Sequence, residues 1–260
     1  MITCPQYRTG FYAPKRGGVP LYPELWRGCV GAWAPCLGPT GLTLRDWSGF
    51  ENHGTLTNGP VSGVSGGQQA ITFDGSNDSV DATFASPSLG VLPFTISVWC
   101  RFTTPIGSFK SVVTIGHHPA SQWLLCCVEP GGKFQLQMFN GIGNPYISST
   151  TTPTVDRWYH FVCMRRNNQL LLFIDGRNEA SMTDSTSIAN QPILTIGNFS
   201  GYSSSWPGQI SDVMVHRTAI TNSQVRLLAS RPGIAYELAP RRTHKVSSGN
   251  RRRRFLIGAH

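Results

Sequence analysis

Charged residues are scarce in this chain: only 13% of its 260 residues are Asp, Glu, Lys or Arg, about half the usual share of a globular domain. Long apolar runs are missing too. A membrane-spanning helix needs about 18 or more apolar residues in a row, and no stretch approaches that. There is no Cys-x-x-Cys, and zinc sites need clustered Cys and His, so the sequence does not describe a zinc fold. His-Glu-x-x-His and the phosphate-binding loop are absent as well, which removes their metalloprotease and nucleotidase chemistries. Met1-Ile2-Thr3-Cys4-Pro5-Gln6 is not a charged start followed by an apolar run, so no signal peptide is expected.

What is present is a core. Hydrophobic residues make up 40%, with 13 Phe, 7 Trp and 7 Tyr, too many for disorder and enough for one large domain or two small ones. The formal charge of +9 would suggest a polyanion partner if it were spread evenly, but it is not. Residues 1–27 carry +3, from Arg8, Lys15, Arg16 and Arg27 against Glu24. Residues 231–260 carry +7, from Arg231, Arg241, Arg242, Lys245 and Arg251 to Arg254 against Glu237. The 203 residues between them come to −1. A near-neutral domain at 28–230 therefore stands between an extended N-terminal arm, 1–27, and an Arg-rich C-terminal tail, 231–260. The seven cysteines fit free thiols in a reducing compartment; a single Cys29–Cys36 disulfide is the alternative.

The middle reads as strands. Phe94, Ile96, Val98, Cys100 and Phe102 alternate onto one face. A run from Trp158 to Met164 meets Gln169 to Ile174 across Arg166-Asn167-Asn168, a tight-turn sequence, and Asp175-Gly176 supplies the next turn. Further strands are predicted at 70–74, 79–83, 111–115, 122–128, 133–139, 193–197 and 209–216. Many short strands punctuated by Gly, Pro, Asn and Ser imply an all-β antiparallel sandwich. One helix is predicted at about 222–230. Thr221 and Gln224 form a capping box, Ile220 and Val225 a hydrophobic staple, and Pro232 stops the run.

Several of these segments match a family. Phe73-Asp74-Gly75-Ser76-Asn77-Asp78-Ser79-Val80, Phe94 to Trp99, and Trp158 to Val162 resemble successive strands of LamG-like (concanavalin A-like) jelly-roll domains. Ile174-Asp175-Gly176 resembles that family's next hairpin. Gly208 to Val215 followed by Arg217 to Thr221 is similar to its closing strand and short helix. Gly31-Ala32-Trp33, Asp46 to Gly49 and Asn52-His53-Gly54 resemble its N-terminal strand and turn. The resemblance covers roughly 28–230 and implies a two-sheet jelly roll serving adhesion, carbohydrate binding or a structural role. LamG-like proteins with Arg-rich tails also resemble products of tailed-phage genomes. That resemblance implies a non-enzymatic virion component, such as a capsid-decoration or tail-associated protein, made in the host cytoplasm and anchored to neighbouring copies by its arms; a lectin-like module is the alternative.

Enzyme chemistry finds little footing. Retaining glycosidases of this fold need two close carboxyl groups, and none of Glu24, Glu51, Glu129, Glu179 and Glu237 opens a Glu-x-Asp-x-x-Glu run. Gly63-Val64-Ser65-Gly66-Gly67 fits Gly-x-Ser-x-Gly, but it lacks a strand-to-helix setting and reads as a turn. The resemblance admits calcium, with Asp74, Asn77, Asp78 and Asp81 as candidate ligands, although Asp and Asn are also ordinary turn residues; otherwise no cofactor is expected. His117-His118 reads as a solvated loop. The loop from Asn198 to Trp206 carries Phe199, Tyr202 and Trp206 as a candidate glycan or partner surface, unless Phe199 and Trp206 fold back as core. In the tail, Arg241, Arg242 and Arg251, Arg252, Arg253 and Arg254 could neutralise phosphates. Phe255, Leu256 and Ile257 suit docking on another chain. The expected partners are therefore other subunits of a homo-oligomeric assembly, glycans, and nucleic acid only through the tail.

Overall fold

A computed structural model describes residues 19–35, 38–83, 90–118, 122–188, 191–199, 201–202 and 204–240. Its strands, in chain order, are β1 (Cys29–Trp33), β2 (Thr43–Leu44), β3 (Gly54–Thr57), β4 (Val61–Ser65), β5 (Gln68–Asp74), β6 (Ser79–Thr83), β7 (Phe94–Phe102) and β8 (Lys110–Gly116). They continue as β9 (Trp123–Val128), β10 (Phe134–Phe139), β11 (Tyr146–Ser148), β12 (Tyr159–Arg166), β13 (Gln169–Ile174), β14 (Arg177–Thr183), β15 (Ile193–Ile196) and β16 (Pro207–His216), and the helix α1 is Asn222–Ser230. All pairings are antiparallel. The first sheet runs β14-β13-β12-β7-β16-β5-β4 with β1 beside β16, and the second runs β11-β10-β9-β8-β15-β6-β3-β2.

Alternation explains which face each strand buries. Phe94, Ile96, Val98, Cys100 and Phe102 of β7 enter the core between the sheets, as do Leu124, Cys126 and Val128 of β9 and Leu136 and Met138 of β10. Two indoles fill this core, each with its N–H placed, as buried Trp requires. Trp33 donates to the Asn52 carbonyl (2.9 Å) and Trp206 to the Arg101 carbonyl (3.2 Å). The predicted turns form: Asn167 and Asn168 both have positive φ (52° and 58°), as a two-residue hairpin loop demands.

The helix matches its sequence signals. Thr221 Oγ1 accepts from Gln224 N, and Gln224 Oε1 accepts from Thr221 N. Ile220 and Val225 are both buried against the outer face of the first sheet. The domain boundaries differ from expectation. Leu25 is fully buried, Ile234, Ala235 and Tyr236 are buried, and all join α1 over that same face. Residues 20–27 and 231–239 are therefore part of the packed domain, because that face would otherwise leave Val162, Met164, Leu171 and Phe173 in water. The remainder of both arms lies outside the described residues.

The Gly-x-Ser-x-Gly segment is also corrected. Val61–Ser65 is an edge strand, β4, and the turn is Gly66-Gly67. Ser65 Oγ accepts from Arg101 at 3.5 Å and a strand follows, so the helix a nucleophile elbow needs is missing. Cys29 is a buried free thiol donating to the Gly31 carbonyl at 3.4 Å. Cys36, its proposed partner, lies outside the described residues. Cys100, Cys126, Cys127 and Cys163 are likewise buried and free, and burial raises the pKa of Cys100, Cys127 and Cys163 well above the usual thiol value, which makes them poor nucleophiles.

Candidate functional site

The helix and the two terminal segments cover the outer face of the first sheet. The outer face of the second sheet carries Trp123, Leu125 and Cys127 from β9, Gln135, Gln137 and Phe139 from β10, and Tyr146 and Ser148 from β11. Register aligns them: Phe139 sits opposite Trp123, Gln137 opposite Leu125, and Tyr146 opposite Gln137. The Trp123 and Phe139 rings stack with centroids 5.5 Å apart and planes 30° apart.

The loop between β15 and β16 crosses this face and adds more rings. Thr114 Oγ1 donates to the Asn198 carbonyl (3.1 Å), and the Ser111 and Ser204 hydroxyls bond at 2.6 Å. Tyr202 N donates to the Phe199 carbonyl at 2.9 Å, closing a tight turn through Gly201. That glycine has φ of 79°, and a Cβ there would lie 1.9 Å from the His118 carbonyl oxygen, so only glycine lets the loop approach. Phe199 is buried on Leu125 and Cys127 and meets Trp123 edge-on at 5.2 Å. His118 packs against Phe199 (6.1 Å) and Tyr202 (5.5 Å). Tyr202 is 50% exposed and Tyr146 57% exposed.

The result is an open platform of Trp123, Phe139, Tyr146, Tyr202 and His118, with Phe199 as its support. Gln137 lies between the rings. Gln135 donates to Ser148 Oγ (3.1 Å), and its Oε1 is buried with no partner among the described residues. No carboxylate belongs to the platform. Ring faces that stack on C–H surfaces, beside amide groups that bond hydroxyls, are what a sugar-binding surface provides.

Of the three loop aromatics expected at a recognition surface, only Tyr202 is exposed. Phe199 is buried, and Trp206 is fully enclosed between the sheets, edge-on to Phe102 at 6.0 Å. Trp206 is thus corrected from candidate site to core: it immediately precedes β16, on the same inward side as Ile210. His118, read as solvated, contacts two platform rings. Trp123, Phe139 and Tyr146 were missed, because each lies within a strand and only register brings them together.

In the acidic turn the carboxylates bond to neighbouring backbone and hydroxyl groups. Asp74 Oδ1 accepts from Ser76 N (2.8 Å) and Asn77 N (3.4 Å), and Asp78 Oδ2 accepts from Asp74 N (2.9 Å). Asp81 accepts from Thr195 and Ser79 hydroxyls. The Ser76 N–H chiefly lowers the Asp74 pKa, while burial raises that of Asp78. Among the described residues, no three His, Cys, Asp or Glu side chains gather as a metal site. Arg241, Arg242, Arg251 to Arg254, Phe255, Leu256 and Ile257 lie outside the described residues.

Two antiparallel sheets, one face covered and the other bearing an aromatic platform, define a lectin-type jelly roll. The Laminin_G_3 family model, described as the Concanavalin A-like lectin/glucanases superfamily, matches residues 74–226. That is more than half of the chain, and the chain belongs to this superfamily. No curated protein matches its sequence. Solved structures share the fold at low identity. The binding domain of Paraclostridial Mosquitocidal Protein 1 aligns with TM-score 0.65 and 15% identity, over 79% of this chain and 52% of that one. Domain 4 of AbnA, a GH43 extracellular arabinanase from Geobacillus stearothermophilus, in complex with arabinotriose, aligns with TM-score 0.62 and 16% identity, over 77% and 98%. The botulinum neurotoxin serotype D ligand-binding domain, in complex with N-acetylneuraminic acid, aligns with TM-score 0.64 and 10% identity, over 80% and 52%. The chain spans about half the length of the two toxin structures.

Proposed function

We propose that this chain is a non-catalytic glycan-binding module whose ligand lies on Trp123, Phe139, Tyr146 and Tyr202. The observation that carries this is the stacked Trp123–Phe139 pair on an open sheet face, with the half-buried Gln137 beside it and no carboxylate among the platform's described residues. Domains of the same fold that hold arabinotriose or N-acetylneuraminic acid support the ligand class. A glycan array followed by calorimetry on the best ligand tests it. Trp123→Ala and Tyr202→Ala should each weaken binding at least about tenfold, the usual effect of truncating a central aromatic anchor. Tyr202→Ala, at a half-exposed side chain, should leave the melting temperature unchanged. Affinity indifferent to both substitutions would refute the site. The reading needs no metal, so EDTA should not change the affinity; a calcium requirement would return attention to Asp74, Asn77, Asp78 and Asp81.

The charge partition favours a second reading for the whole protein: a structural or adhesive component of an assembly, of the phage-virion kind, held to neighbouring subunits by its basic arms. Deleting 241–260 should then abolish incorporation into the assembly while glycan binding persists. Unchanged incorporation would remove this reading.

A further inference from the structure

Most edges of the two sheets are guarded. β14 carries Arg177 and Glu179 and bulges against β13, devices that discourage edge-to-edge pairing. β11 and β2 are three and two residues long, and β1 is buried throughout. β4 is different. It ends the first sheet, paired on one side with β5 from Val61↔Thr72 to Ser65↔Gln68 and, among the described residues, with no strand on the other. Val61 is 64% and Val64 69% exposed, on opposite faces of the strand. Pro60 precedes the strand and does not interrupt it. From Gly54 to Phe73, which takes in β3, β4 and most of β5, there is no Asp, Glu, Lys or Arg. Arg101, which reaches Ser65 Oγ at 3.5 Å, is itself paired with Asp156 at 2.6 Å. Turns with positive φ at Asn58-Gly59 (68° and 115°) and Gly66-Gly67 (57° and 79°) hold both ends of the strand, so it is extended before any partner arrives. A Cβ built on Gly63, its middle residue, would meet nothing within 4 Å among the described residues.

We propose that the outer edge of β4 pairs with the same edge of a second copy of this chain, antiparallel and centred on Gly63. An unpaired edge offers its backbone N–H and C=O groups to an added strand. Two features select a second copy as that strand. Two-fold pairing sets a strand against its own sequence, so any charge on it faces a like charge, which repels; β4 carries none. A charged peptide, in turn, finds no complement anywhere from Gly54 to Phe73. Centring on Gly63 also uses the whole strand. The two glycines meet at the axis, where side chains would be closest. Val64 then lies opposite Ser62 of the second copy and diagonal to the second copy's Val64, within reach of apolar contact, and Val61 lies opposite Ser65 of the second copy. The two first sheets become one. A two-fold axis normal to the sheet leaves the outer faces of both copies pointing the same way, so the pair displays two aromatic platforms side by side. That consequence rests on the glycan-binding reading; the pairing itself does not.

The test is sedimentation of the full chain across roughly 1–100 µM, at about 0.05 and 0.5 M salt. A monomer–dimer equilibrium is expected, little changed by salt because the paired edges are uncharged. Val64→Lys and Val61→Lys should each weaken the dimer at least about tenfold, since each brings two like charges to one edge. Both side chains are more than half exposed, so both variants should keep the parent's melting temperature. Gly63→Cys fixes the register. Residues directly opposite in an antiparallel pair lie about 4.5–5.5 Å apart at Cα, within disulfide range, so mild oxidation should cross-link this variant into a covalent dimer that the parent does not form. Val64→Cys, with its mate about 7–8 Å away, should not cross-link. A chain that stays monomeric across the whole range would leave the edge to a strand of another sequence and overturn the pairing of copies. A dimer unmoved by both lysines would place the contact elsewhere and overturn the role of β4. Cross-linking through Val64→Cys and not through Gly63→Cys would overturn the register.

Discussion

Asp184→Ala should cost about 3–5 kcal/mol of folding stability, the usual penalty for stripping one partner from a buried ion pair. Arg165 faces inward from β12, and its side chain and that of Asp184 are almost wholly excluded from solvent. One guanidinium nitrogen reaches both Asp184 Oδ2 and the Thr186 carbonyl (2.7 Å), and the other donates to the Gly90 carbonyl at 2.9 Å. Asp184 Oδ1 accepts from Thr186 N at 3.1 Å. Phe94 and Met138 supply apolar walls on the two sheets. The group ties together the chain entering β7 and the chain leaving β14, near the Gly90–Ile188 bridge. Without the carboxylate, a positive charge stays in a medium that cannot solvate it. The double variant Arg165→Met/Asp184→Leu should recover much of the loss, since well-packed apolar replacements for buried ion pairs are often neutral or better. Urea midpoints with unchanged slopes measure both effects. A double variant no more stable than Asp184→Ala would show that the pair fixes geometry rather than compensating charge.

Alternation and turn chemistry made most of the fold legible. The strand at Phe94–Phe102 and that at Gln169–Ile174 lie where their periodicity places them, and the capped helix follows its four signals. The short edge strands β4 and β11 escaped because Val61–Ser65 and Tyr146–Ser148 carry little apolar alternation. The packed stretches at 20–27 and 231–239 looked like arms because their contact with the sheet depends on isolated residues, Leu25 and Ile234 to Tyr236, without period. The aromatic platform was half legible. Tyr202 could be picked from a polar loop, but Trp123 and Phe139 are 16 residues apart and become neighbours only through the β9–β10 register. In a strand an exposed aromatic looks like a core aromatic until it is known what lies over each face. Trp206 shows the converse: its loop is polar, and its place immediately before β16, in phase with the inward-facing Ile210, decides its burial.

The covered face should also set the acid limit of the fold. His160 lies on the outer face of β12, fully buried, with Nε2 2.9 Å from Ser97 Oγ and its ring 5.2 Å from that of Trp99. Its Nδ1 has no partner among the described residues, so a second ring proton would find no acceptor there. Burial lowers its pKa to about 3, against about 6.5 in an unfolded chain. His216, beneath the same cover with its Nε2 2.8 Å from the Leu25 carbonyl, is lowered by burial as well. A depressed folded-state value means that the unfolded chain takes up the proton first. The stability is complete above about pH 6.5 and drains away as pH falls toward 3, His160 alone contributing on the order of 2 kcal/mol by pH 5. Urea titrations at pH 7.5, 6 and 5 should show this decline well above the range where carboxylates protonate. His160→Gln should be less stable at pH 7.5 and should flatten the profile by about that amount. Because Ser97, His160 and Trp99 share their small cavity with Leu228 of α1 and with Gly233 to Tyr236, loss of near-ultraviolet signal from Trp26 and Trp99 should accompany the transition as the helix and terminal segments lift from the sheet. A parent protein equally stable at pH 7.5 and 5 would show that the imidazole finds water or a counter-charge in the folded state.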